Sequence, residues 1–440
     1  MSDMPIPPAV PSPHSSPSQS EDGLQPPRLV PNPDVPGPRT VLLLQGLMGP
    51  LFHHLGKGLM AAGHQVHKIN FNGGDRLFWR LPNGIDYRDS LERWPQFLAR
   101  FLDEKGITDV VLFGDCRDHH RPATQVCKER GVSVHVFEEG YVRPDWVTLE
   151  MGGVNGNSTL PSDPAWYRQT AAVLAPVPAH AQVPSSFRRR AAEGLAYNFA
   201  DVLTRWHYPH WTNHRPWHPL VEAMGWWRKL SRRKLRQREA GALLDRLESG
   251  EAPFFLFPLQ LDSDAQIRLH SSFAGIADAL RLVVGSFAAH APAGSRLLVK
   301  EHPLDNGVRD WQQETADMAR LFGVADRVDY LSIGDIVPVI RRALGVVTIN
   351  STSGTLALAE GVPVVALGHA IYDMPDITCQ EGLDAFWGNP VAPDPATFAA
   401  FRRVLIERCL IPGGFFSAVA LDKVVRHAIA RLERRPLAPE

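Results

Sequence analysis

The chain has 440 residues, of which 44% are hydrophobic, and this is enough for two domains with ordinary globular cores. Its 46 basic and 47 acidic residues give a formal net charge of -1, which excludes the class of proteins that bind nucleic acid over their whole surface. Its four cysteines are widely spaced and form no metal-ligand pattern, so we expect reduced thiols in a cytoplasmic protein.

The first 38 residues predict a disordered tail. They hold 12 of the chain's 38 prolines and many serines, with almost no clustering of apolar residues. They also lack an apolar stretch after a basic start, and no uncharged run in the chain approaches the roughly 20 residues needed to span a bilayer. We therefore expect neither a signal peptide nor a membrane-spanning helix.

Strands and helices alternate from residue 39 to residue 184. Apolar runs predict strands that begin at residue 39 and cover 66–71, 109–113 and 132–137, and helical spacing predicts helices over 52–63, 94–105 and 123–131, with a loop at 72–75. The glycine turn at 45–49 is not a dinucleotide fingerprint, and a close-packed strand-to-helix turn is the favoured interpretation. The alternation is typical of a parallel, doubly wound sheet, which predicts a Rossmann-like domain over residues 39–184.

Polar residues follow several of these strands. Because the carboxyl ends of parallel strands meet at one edge of a sheet, we expect these side chains to line a cleft for the acceptor substrate. They are Gln45, Asn72, Asp75, Asp115 and Arg117.

Two carboxylates, Glu138 and Glu139, fall where the predicted strand 132–137 ends, and Gly140 lets the chain turn sharply after them. Acids at a strand end of an α/β sheet are candidates for proton transfer. Arg143 and Asp145 follow closely, so a solvated turn with a structural ion pair is the alternative interpretation.

Residues 185–250 form a basic, tryptophan-rich insert. Between Arg205 and Arg238 there are nine Lys or Arg residues against one acid, Glu222, and five of the chain's 11 tryptophans: Trp206, Trp211, Trp217, Trp226 and Trp227. Cations attract anionic headgroups and tryptophan favours the membrane interface, so this composition predicts a docking surface for a bilayer or a lipid. Nucleic acid could use the same chemistry, and a helical linker with tryptophans in its core is a further alternative.

A second Rossmann-like domain is predicted over residues 251–410, followed by a C-terminal helix and tail at 411–440. Its predicted strands cover 253–261, 296–300, 328–332, 345–350 and 362–366. Asp262 and Asp264 follow the first of these strands, and Asp264 would face Glu138 and Glu139 if the two domains closed on each other. An aspartate at this position is also a common helix cap.

An anion site is predicted at the turn formed by Ser351, Thr352, Ser353 and Gly354. A strand ends and a helix begins there, so hydroxyls, free N–H groups and the helix dipole converge on one point. His302, after a neighbouring strand, could donate a proton or a hydrogen bond to the same anion. Serine capping plus a buried histidine is the alternative interpretation.

With these motifs assembled, the chain from about Val41 to about Phe386 resembles the capsular polysaccharide biosynthesis and export family of the KpsS or LipB type. The Glu-Glu-Gly-Tyr-x-Arg-Pro-Asp block that starts at Glu138 is its most specific carrier. The other carriers are residues 49–50, 68–75, 114–117, 146–158, 258–264, 301–303 and 351–354.

The resemblance implies a GT-B-like α/β fold, with two Rossmann-like doubly wound domains facing a central cleft, and the activity of a retaining β-Kdo transferase. CMP-Kdo would donate Kdo (3-deoxy-D-manno-oct-2-ulosonic acid) to a lysophosphatidylglycerol acceptor. Glu138 or Glu139 would handle the acceptor proton, and Asp264 is the position best suited to a nucleophile, with Asp262 left open. The resemblance places the donor's CMP on Lys300, His302, Pro303 and residues 351–354, adds Arg143 and Gln260 to the substrate cleft, and requires no cofactor or metal.

The partners implied are a CMP-sugar donor, a phospholipid acceptor, the inner-membrane surface and other capsule assembly proteins, without nucleic acid. The expected location is cytoplasmic and peripheral on the inner membrane. Two alternatives stay open: a transferase for another CMP-activated nonulosonic acid, and a non-catalytic factor for capsule assembly or export.

Overall fold

The computed structural model describes residues 37–433 apart from 176, 178–181, 213–218, 251–252 and 263. The predicted tail therefore lies outside the described residues except for its last two. The strands in the described part are β1 (Thr40–Leu43), β2 (Gln65–Asn70), β3 (Gly84–Asp86), β4 (Asp109–Phe113), β5 (Ser133–Glu139), β6 (Trp146–Met151), β7 (Phe254–Pro258), β8 (Arg296–Lys300), β9 (Val328–Leu331), β10 (Gly345–Thr348), β11 (Val364–Ala366) and β12 (Leu410–Pro412).

The α-helices of the described part connect and cover these strands. They are α1 (Leu51–Ala61), α2 (Gly73–Phe78), α3 (Trp94–Lys105), α4 (His120–Glu129), α5 (Pro164–Val173), α6 (Phe187–Leu203), α7 (Pro219–Ser231), α8 (Arg233–Glu248), α9 (Ala265–Leu269), α10 (Ile276–His290), α11 (Trp311–Leu321), α12 (Ile336–Ile340), α13 (Thr352–Ala359), α14 (Leu383–Phe386), α15 (Pro395–Arg408) and α16 (Ala418–Glu433). The predicted bounds of α3, β4 and β8 are confirmed to the residue.

The first sheet has the strand order β12-β6-β5-β4-β1-β2-β3. The run from β3 to β5 is parallel, whereas β6 pairs antiparallel with β5 and β12 pairs antiparallel with β6. The predicted strands therefore pair in parallel, and β6 and β12, which were not predicted, extend this edge in antiparallel fashion. A parallel crossover needs a dozen or more residues, and the short turn between β5 and β6 permits only a hairpin.

The second sheet has the order β11-β10-β7-β8-β9 and is parallel throughout. In both sheets the chain first moves outward on one side of the starting strand, β1 or β7, and then returns to build the other side. Such a switch point opens a crevice at the carboxyl ends of the strands, where α/β proteins bind ligands.

Helices cover both faces of both sheets, so consecutive strand residues are buried. In β4, for example, Val110, Val111 and Leu112 have no exposed surface, which explains why these strands read as continuous apolar runs. The expected fold class is confirmed: the protein has an α/β, GT-B-like fold, with two Rossmann-like doubly wound sheets that face a cleft.

The C-terminal segment returns to the first sheet. β12 joins β6, and α16 packs on α1 so closely that a side chain at Gly58 would meet Ile429 at 2.5 Å. The chain from Pro38 onward is one compact unit. The return of the chain to the first sheet after residue 410 was not predicted from the sequence.

The predicted loop at 72–75 is instead the start of α2. The Asn72 side chain accepts a hydrogen bond from the Asp75 N–H at 2.9 Å and caps the helix. A short polar residue before two glycines gives no apolar periodicity, so the helix was not recognised from the pattern.

The tryptophans of the basic insert divide into two groups. Trp211 is buried and stacks near Phe71 and His119, so it belongs to the core. Trp206 and Trp227 are largely exposed, and Trp226 is partly so. Trp217 lies outside the described residues.

Candidate active site

A cavity of about 1330 Å³ lies between the carboxyl ends of the two sheets. Its wall includes residues at or within two positions of the carboxyl ends of strands of both sheets, namely Phe113, Glu139, Pro258, Lys300 and Asn350. The crevice expected from the strand order is therefore one space shared by both α/β layers. Most of the predicted catalytic and donor-binding residues line it, namely Glu138, Glu139, Asp264, Lys300, His302, Pro303, Ser351, Thr352 and Ser353, and so do Arg143 and Gln260 of the predicted substrate cleft.

Glu138 is an acid of the first sheet that lines the cavity and has a raised pKa. Its Oε1 accepts a hydrogen bond from the Glu139 N–H at 3.0 Å. Burial, together with the negative charges of Glu139 and Asp264, raises the pKa of Glu138 to about 7, while the hydrogen bond from the Glu139 N–H and the charge of Arg117 oppose the rise. A carboxyl group that titrates near neutral pH can both accept and release a proton during a reaction.

Glu139 has different surroundings. Its carboxylate pairs with Arg143 at 2.6 Å and with Arg190 at 3.4 Å, and all three side chains are partly exposed. The structural ion pair considered for this turn is therefore present, but it involves Glu139 and leaves Glu138 out.

Asp264 is the acid that the second sheet contributes. Its Oδ1 accepts a hydrogen bond from the Gln266 N–H at 3.0 Å, so it caps α9 while it lines the cavity. Burial raises the pKa of Asp264, and the negative charge of Glu139 across the cavity contributes to the rise. The two interpretations of this residue, helix cap and cavity acid, are compatible.

Gln260 holds the end of β10 beside Asp264. Its amide exchanges two hydrogen bonds with Asn350, to the side-chain oxygen at 2.9 Å and from the backbone N–H at 3.2 Å. Asn350 directly precedes the serine turn and was not singled out from the sequence, although its position at a strand end was the available signal.

Asp262 does not line the cavity. One of its oxygens accepts from the Ile276 N–H at 3.2 Å, and the other pairs with Arg309 at 3.4 Å. These contacts give Asp262 a structural role that leaves Asp264 as the carboxylate of this segment at the site.

The side of the cavity for which an anion site is predicted is built on the start of α13. Ser351 is the N-cap residue, and its Oγ accepts from the Ser353 N–H at 3.1 Å. Gly354 is buried beneath them, where a side chain would meet the hydroxyl of Tyr372 at 2.4 Å. Serine capping is therefore present. The same turn places the positive end of the helix dipole and three hydroxyl groups at the cavity wall.

His302 lines the same side of the cavity. Its Nδ1 accepts a hydrogen bond from the Leu304 N–H at 3.1 Å, so the neutral ring carries its proton on Nε2. Burial lowers the pKa of His302 to about 4, with help from the charges of Lys300 and Arg143. At neutral pH this histidine is a hydrogen-bond donor through Nε2 and not a cationic acid.

Lys300 and Glu301 connect this wall to the basic insert. Glu301 is buried between Lys229 at 2.7 Å and Arg236 at 3.2 Å, and it accepts from the Tyr330 hydroxyl at 2.8 Å. Burial lowers the pKa of the neighbouring Lys300. The cations of α7 and α8 that face inward therefore fix the segment that carries His302.

A hydrogen bond joins the turn after Glu138 and Glu139 to the helix that follows the serine turn. The Thr355 hydroxyl, on α13, donates to the backbone oxygen of Tyr141 at 2.8 Å. Tyr141 is in turn held by Glu150 and by the Asn155 N–H, so its side chain is part of the core beneath the turn. The tyrosine of the acidic motif therefore supports the site from below.

Three residues predicted for the acceptor cleft lie elsewhere. The amides of Gln45 and Asn72 donate to the Tyr197 hydroxyl at 2.9 and 2.8 Å, and that hydroxyl donates to Asp75 at 3.0 Å. All four side chains are buried, so the prediction that Gln45, Asn72 and Asp75 line the cleft is wrong. The strand-end position is as expected, but α6 covers that part of the edge.

We expect Tyr197→Phe to destabilise the protein while leaving nucleotide binding unchanged. The variant removes one oxygen that satisfies three buried polar side chains, and each buried group left unpaired costs about 1–3 kcal/mol. Urea unfolding should show a lower midpoint at unchanged slope, and calorimetric titration with CMP should match the wild type. Unchanged stability with weaker acceptor binding would instead return these residues to the substrate cleft.

Asp115 lies outside the cavity, whereas Arg117 lines it as expected. Asp115 is buried and accepts from the Val154 N–H and the Asn157 amide, each at 3.0 Å, so it anchors the segment after β6 and does not line the cavity. Arg117 does line the cavity and donates to the Gly46 oxygen at 3.0 Å. Several other residues that line the cavity were not predicted as site residues from the sequence: Cys116, Arg121, Asn155, Arg190, Gln266 and Arg268.

The chain matches the family model described as "Capsule polysaccharide biosynthesis protein" over residues 108–416. The chain belongs to this family. The matched segment contains the acids, the histidine and the serine turn of the cavity. Among curated members, the chain is 35% identical to the capsule polysaccharide modification protein LipB of Neisseria meningitidis serogroup A over 86% of its own length and 92% of LipB.

The capsule polysaccharide export protein KpsS of Escherichia coli is a second relative of this chain. It is 33% identical over 85% of the chain and 96% of KpsS. A solved structure titled "Thermosulfurimonas dismutans KpsC, beta Kdo 2,7 transferase" matches at a TM-score of 0.44 and 13% identity, over 89% of this chain and 100% of that one. The resemblance noted from the motifs is confirmed by the family model and the two curated relatives.

Two properties of the described part of this family member bear on its chemistry. No helix in it has both the length and the apolar character needed to cross a bilayer. Its His, Cys, Asp and Glu side chains form no group of three or more that is arranged to hold a metal ion. The expectation that the reaction requires no metal stays a prediction.

Proposed function

We propose that the protein is a retaining glycosyltransferase that moves Kdo from CMP-Kdo to the headgroup of a phosphatidylglycerol or lysophosphatidylglycerol acceptor. The observation that carries this proposal is the meeting of Glu138 and Asp264, from opposite sheets, in the cavity that also holds His302 and the serine turn. Family membership ties the chain to capsule polysaccharide biosynthesis, and a transferase that starts a lipid-linked chain fits that role.

In this proposal the CMP phosphate lies against the start of α13. The helix dipole, the hydroxyls of Ser351 and Ser353, and the Nε2–H of neutral His302 would each stabilise its negative charge. Lys300 and Pro303 complete the same wall. These groups would stabilise departing CMP most strongly as the bond to the sugar breaks.

The first chemical step forms a covalent intermediate. The Asp264 carboxylate attacks the anomeric carbon of Kdo, the bond from that carbon to the CMP phosphate oxygen breaks, and CMP leaves with the electron pair. This inverts the configuration once. The Gln266 N–H and the Gln260 amide orient the carboxylate for this attack.

The second step transfers the sugar. Glu138 removes the proton from a hydroxyl of the acceptor, the resulting oxygen attacks the same carbon, and the bond to Asp264 breaks. The second inversion restores the β configuration. Glu138 is favoured over Glu139 as the base because its pKa of about 7 suits proton transfer, whereas Glu139 is paired with two arginines.

Mass spectrometry of a reaction mixture tests the proposal. The protein is incubated with CMP-Kdo and a short-chain lysophosphatidylglycerol, and we expect the lipid to gain the mass of one or more Kdo residues. Turnover with CMP-sialic acid alone would identify the first alternative, a transferase for another nonulosonic acid. Absence of turnover with every CMP-sugar would leave the non-catalytic assembly factor.

The lipid acceptor makes a peripheral position on the inner membrane part of the same proposal. Support comes from the exposed tryptophans Trp206 and Trp227 in the basic insert, because indole rings favour the bilayer interface.

We expect His302→Asn to weaken CMP binding by about 10-fold or more, since a hydrogen bond to a charged group contributes about 1.5–3 kcal/mol. Asparagine can still accept from the Leu304 N–H, but it lacks a donor at the position of Nε2. Isothermal titration with CMP measures the effect. His369→Asn is the matched control, because His369 is exposed and lies outside the cavity. Equal affinities of His302→Asn and the wild type would remove His302 from the CMP site.

A further inference from the structure

Helix α6 turns its apolar side chains towards solvent and its polar side chains towards the protein. Its apolar side chains Leu195, Phe199, Val202 and Leu203 follow one another at helical spacing, and all are exposed to solvent. Phe187 at its start and Trp206 just after its end are also exposed, and the six side chains retain between 59% and 78% of their accessible surface. We name these six residues the outer face of α6. A surface helix of a globular protein normally turns such a stripe towards the core.

The inner side of α6 is polar and fixes the helix to the first sheet. Tyr197 and Asp201 are buried there, and Tyr197 binds Gln45, Asn72 and Asp75. At Gly73 a side chain would meet the Ala200 oxygen at 2.4 Å, so α2 and α6 touch through their backbones. The outer face is thus held outward by a rigid contact.

Helix α7 repeats this arrangement on the second sheet. Met224, Trp227 and Leu230 are exposed, whereas Arg228 and Lys229 turn inward and donate to the backbone oxygens of Gly307 and Asp305. In the described part of the chain, 11 of the 22 large exposed hydrophobic side chains lie between residues 187 and 235. Since two helices with different anchors share the reversal, it is a property of the insert and not an isolated irregularity.

The charges around these apolar side chains favour an anionic lipid surface. Arg188 and Arg205 are exposed beside the outer face of α6, and Arg232, Arg233 and Lys234 are exposed directly after α7. Exposed tryptophan, aliphatic side chains and cations together are the composition of helices that lie in a bilayer interface. A second protein chain would not require this surplus of positive charge.

Arg190 connects α6 to the cavity. It lies on the inner side of the helix, lines the cavity, and holds its guanidinium 4.7 Å above the ring of Phe416. Arg143 and Arg190 share one carboxylate, that of Glu139, so this corner carries a net positive charge. A phosphodiester could bind there without displacing both ion pairs.

Building on the proposed function, we infer that the outer face of α6 inserts into an anionic phospholipid bilayer and that Arg190 binds the headgroup phosphate of the acceptor lipid. The acyl chains would stay in the membrane beside Leu195 and Phe199 while the headgroup enters the cavity. A lipid would then reach the acids without leaving the bilayer.

Flotation with vesicles tests the insertion. We expect the full chain to float with vesicles of phosphatidylcholine and phosphatidylglycerol, and less with phosphatidylcholine alone. Leu195→Gln/Phe199→Gln should lower the bound fraction by about tenfold or more, because binding scales with inserted apolar area. Leu321→Gln/Val419→Gln is the matched control, since Leu321 and Val419 are equally exposed on α11 and α16. Equal flotation of both double variants, or a wild type that forms dimers through this face instead of floating, would overturn the inference.

Binding of a soluble lipid tests the role of Arg190. A short-chain lysophosphatidylglycerol is titrated into CMP-saturated protein by calorimetry, and we expect Arg190→Gln to weaken its binding by about tenfold while vesicle flotation is kept. Arg188→Gln is the control on the same helix, because Arg188 does not line the cavity. Equal binding by Arg190→Gln and wild type would refute the headgroup site.

The two proposals fail in different ways. A wild type that floats through α6 but transfers no sugar to a short-chain acceptor would keep the docking face and refute the transferase. A wild type that transfers sugar to a short-chain acceptor but does not bind vesicles would keep the transferase and refute the docking face.

Discussion

Asp264→Asn is expected to lower the rate of sugar transfer by about 10⁴-fold or more and to leave CMP binding unchanged. The side-chain amide is not a nucleophile, so the covalent intermediate cannot form. Asparagine keeps an oxygen that can accept from the Gln266 N–H, so the cap of α9 and the fold around it should persist. Transfer is measured by mass spectrometry of the lipid product, and CMP affinity by calorimetry.

Asp262→Asn is the matched control for this variant. Asp262 is two residues away but pairs with Arg309 and lies outside the cavity, so its variant should lose some stability and retain transfer. Without an acceptor, the wild-type protein incubated with CMP-Kdo should gain the mass of one Kdo residue, and Asp264→Asn should not. Wild-type activity in Asp264→Asn would exclude the covalent route through this residue.

The second large effect is expected for Glu138→Gln, which should lower transfer by about 10²–10⁴-fold. In the wild type, kcat/KM should rise with pH through about 7, because the base must be deprotonated and its pKa is about 7. Glutamine cannot take the proton, so the residual activity of the variant should lack this rise. A pH profile of kcat/KM from about pH 5 to about pH 9 provides the measurement.

Glu139→Gln separates the two acids. Removing the charge of Glu139 should lower the pKa of Glu138, so the rise in activity should move to lower pH and persist. If Glu139→Gln instead abolished the rise and Glu138→Gln kept it, the assignment of the base would be reversed.

The stability of Glu138→Gln gives a second readout. The pKa of Glu138 is raised on folding from 4.5 to about 7, so the folded state binds this proton more tightly than the unfolded state. The buried charge therefore destabilises the fold increasingly as the pH rises from about 4.5 to 7, by about 3 kcal/mol at full effect. The variant should gain that free energy of unfolding at pH 8 and little at pH 4. A stability difference that does not depend on pH would contradict the raised pKa.

The sequence by itself determined the alternating elements and the motifs. Buried parallel strands need unbroken apolar runs, and amphipathic helices need their own period, so β4, β8 and α3 could be placed to the residue. The glutamate pair, the histidine and the serine turn were recognised for a related reason. In parallel sheets, catalytic and ligand-binding residues lie at the carboxyl ends of the strands, and local sequence patterns show where the strands end.

Tertiary structure alone decided which strand-end residues reach the cavity. Gln45, Asn72 and Asp75 occupy the expected edge, but α6 covers them and uses them as hydrogen-bond partners for Tyr197. Asp262 and Asp264 are two residues apart, yet only one of them faces the cavity. Such outcomes depend on contacts between residues far apart in the chain, which no local period encodes.

The same reason explains the return of β12 to the first sheet and the outward stripe of α6. A three-residue strand has too few positions to show a period, and its pairing with β6 is set by packing across more than 250 residues of chain. The periodicity of α6 predicts an apolar face but not the direction in which it points. That direction is fixed by the buried polar contacts of Tyr197 and by the backbone contact of α6 with α2, which together hold the opposite side of the helix against the first sheet.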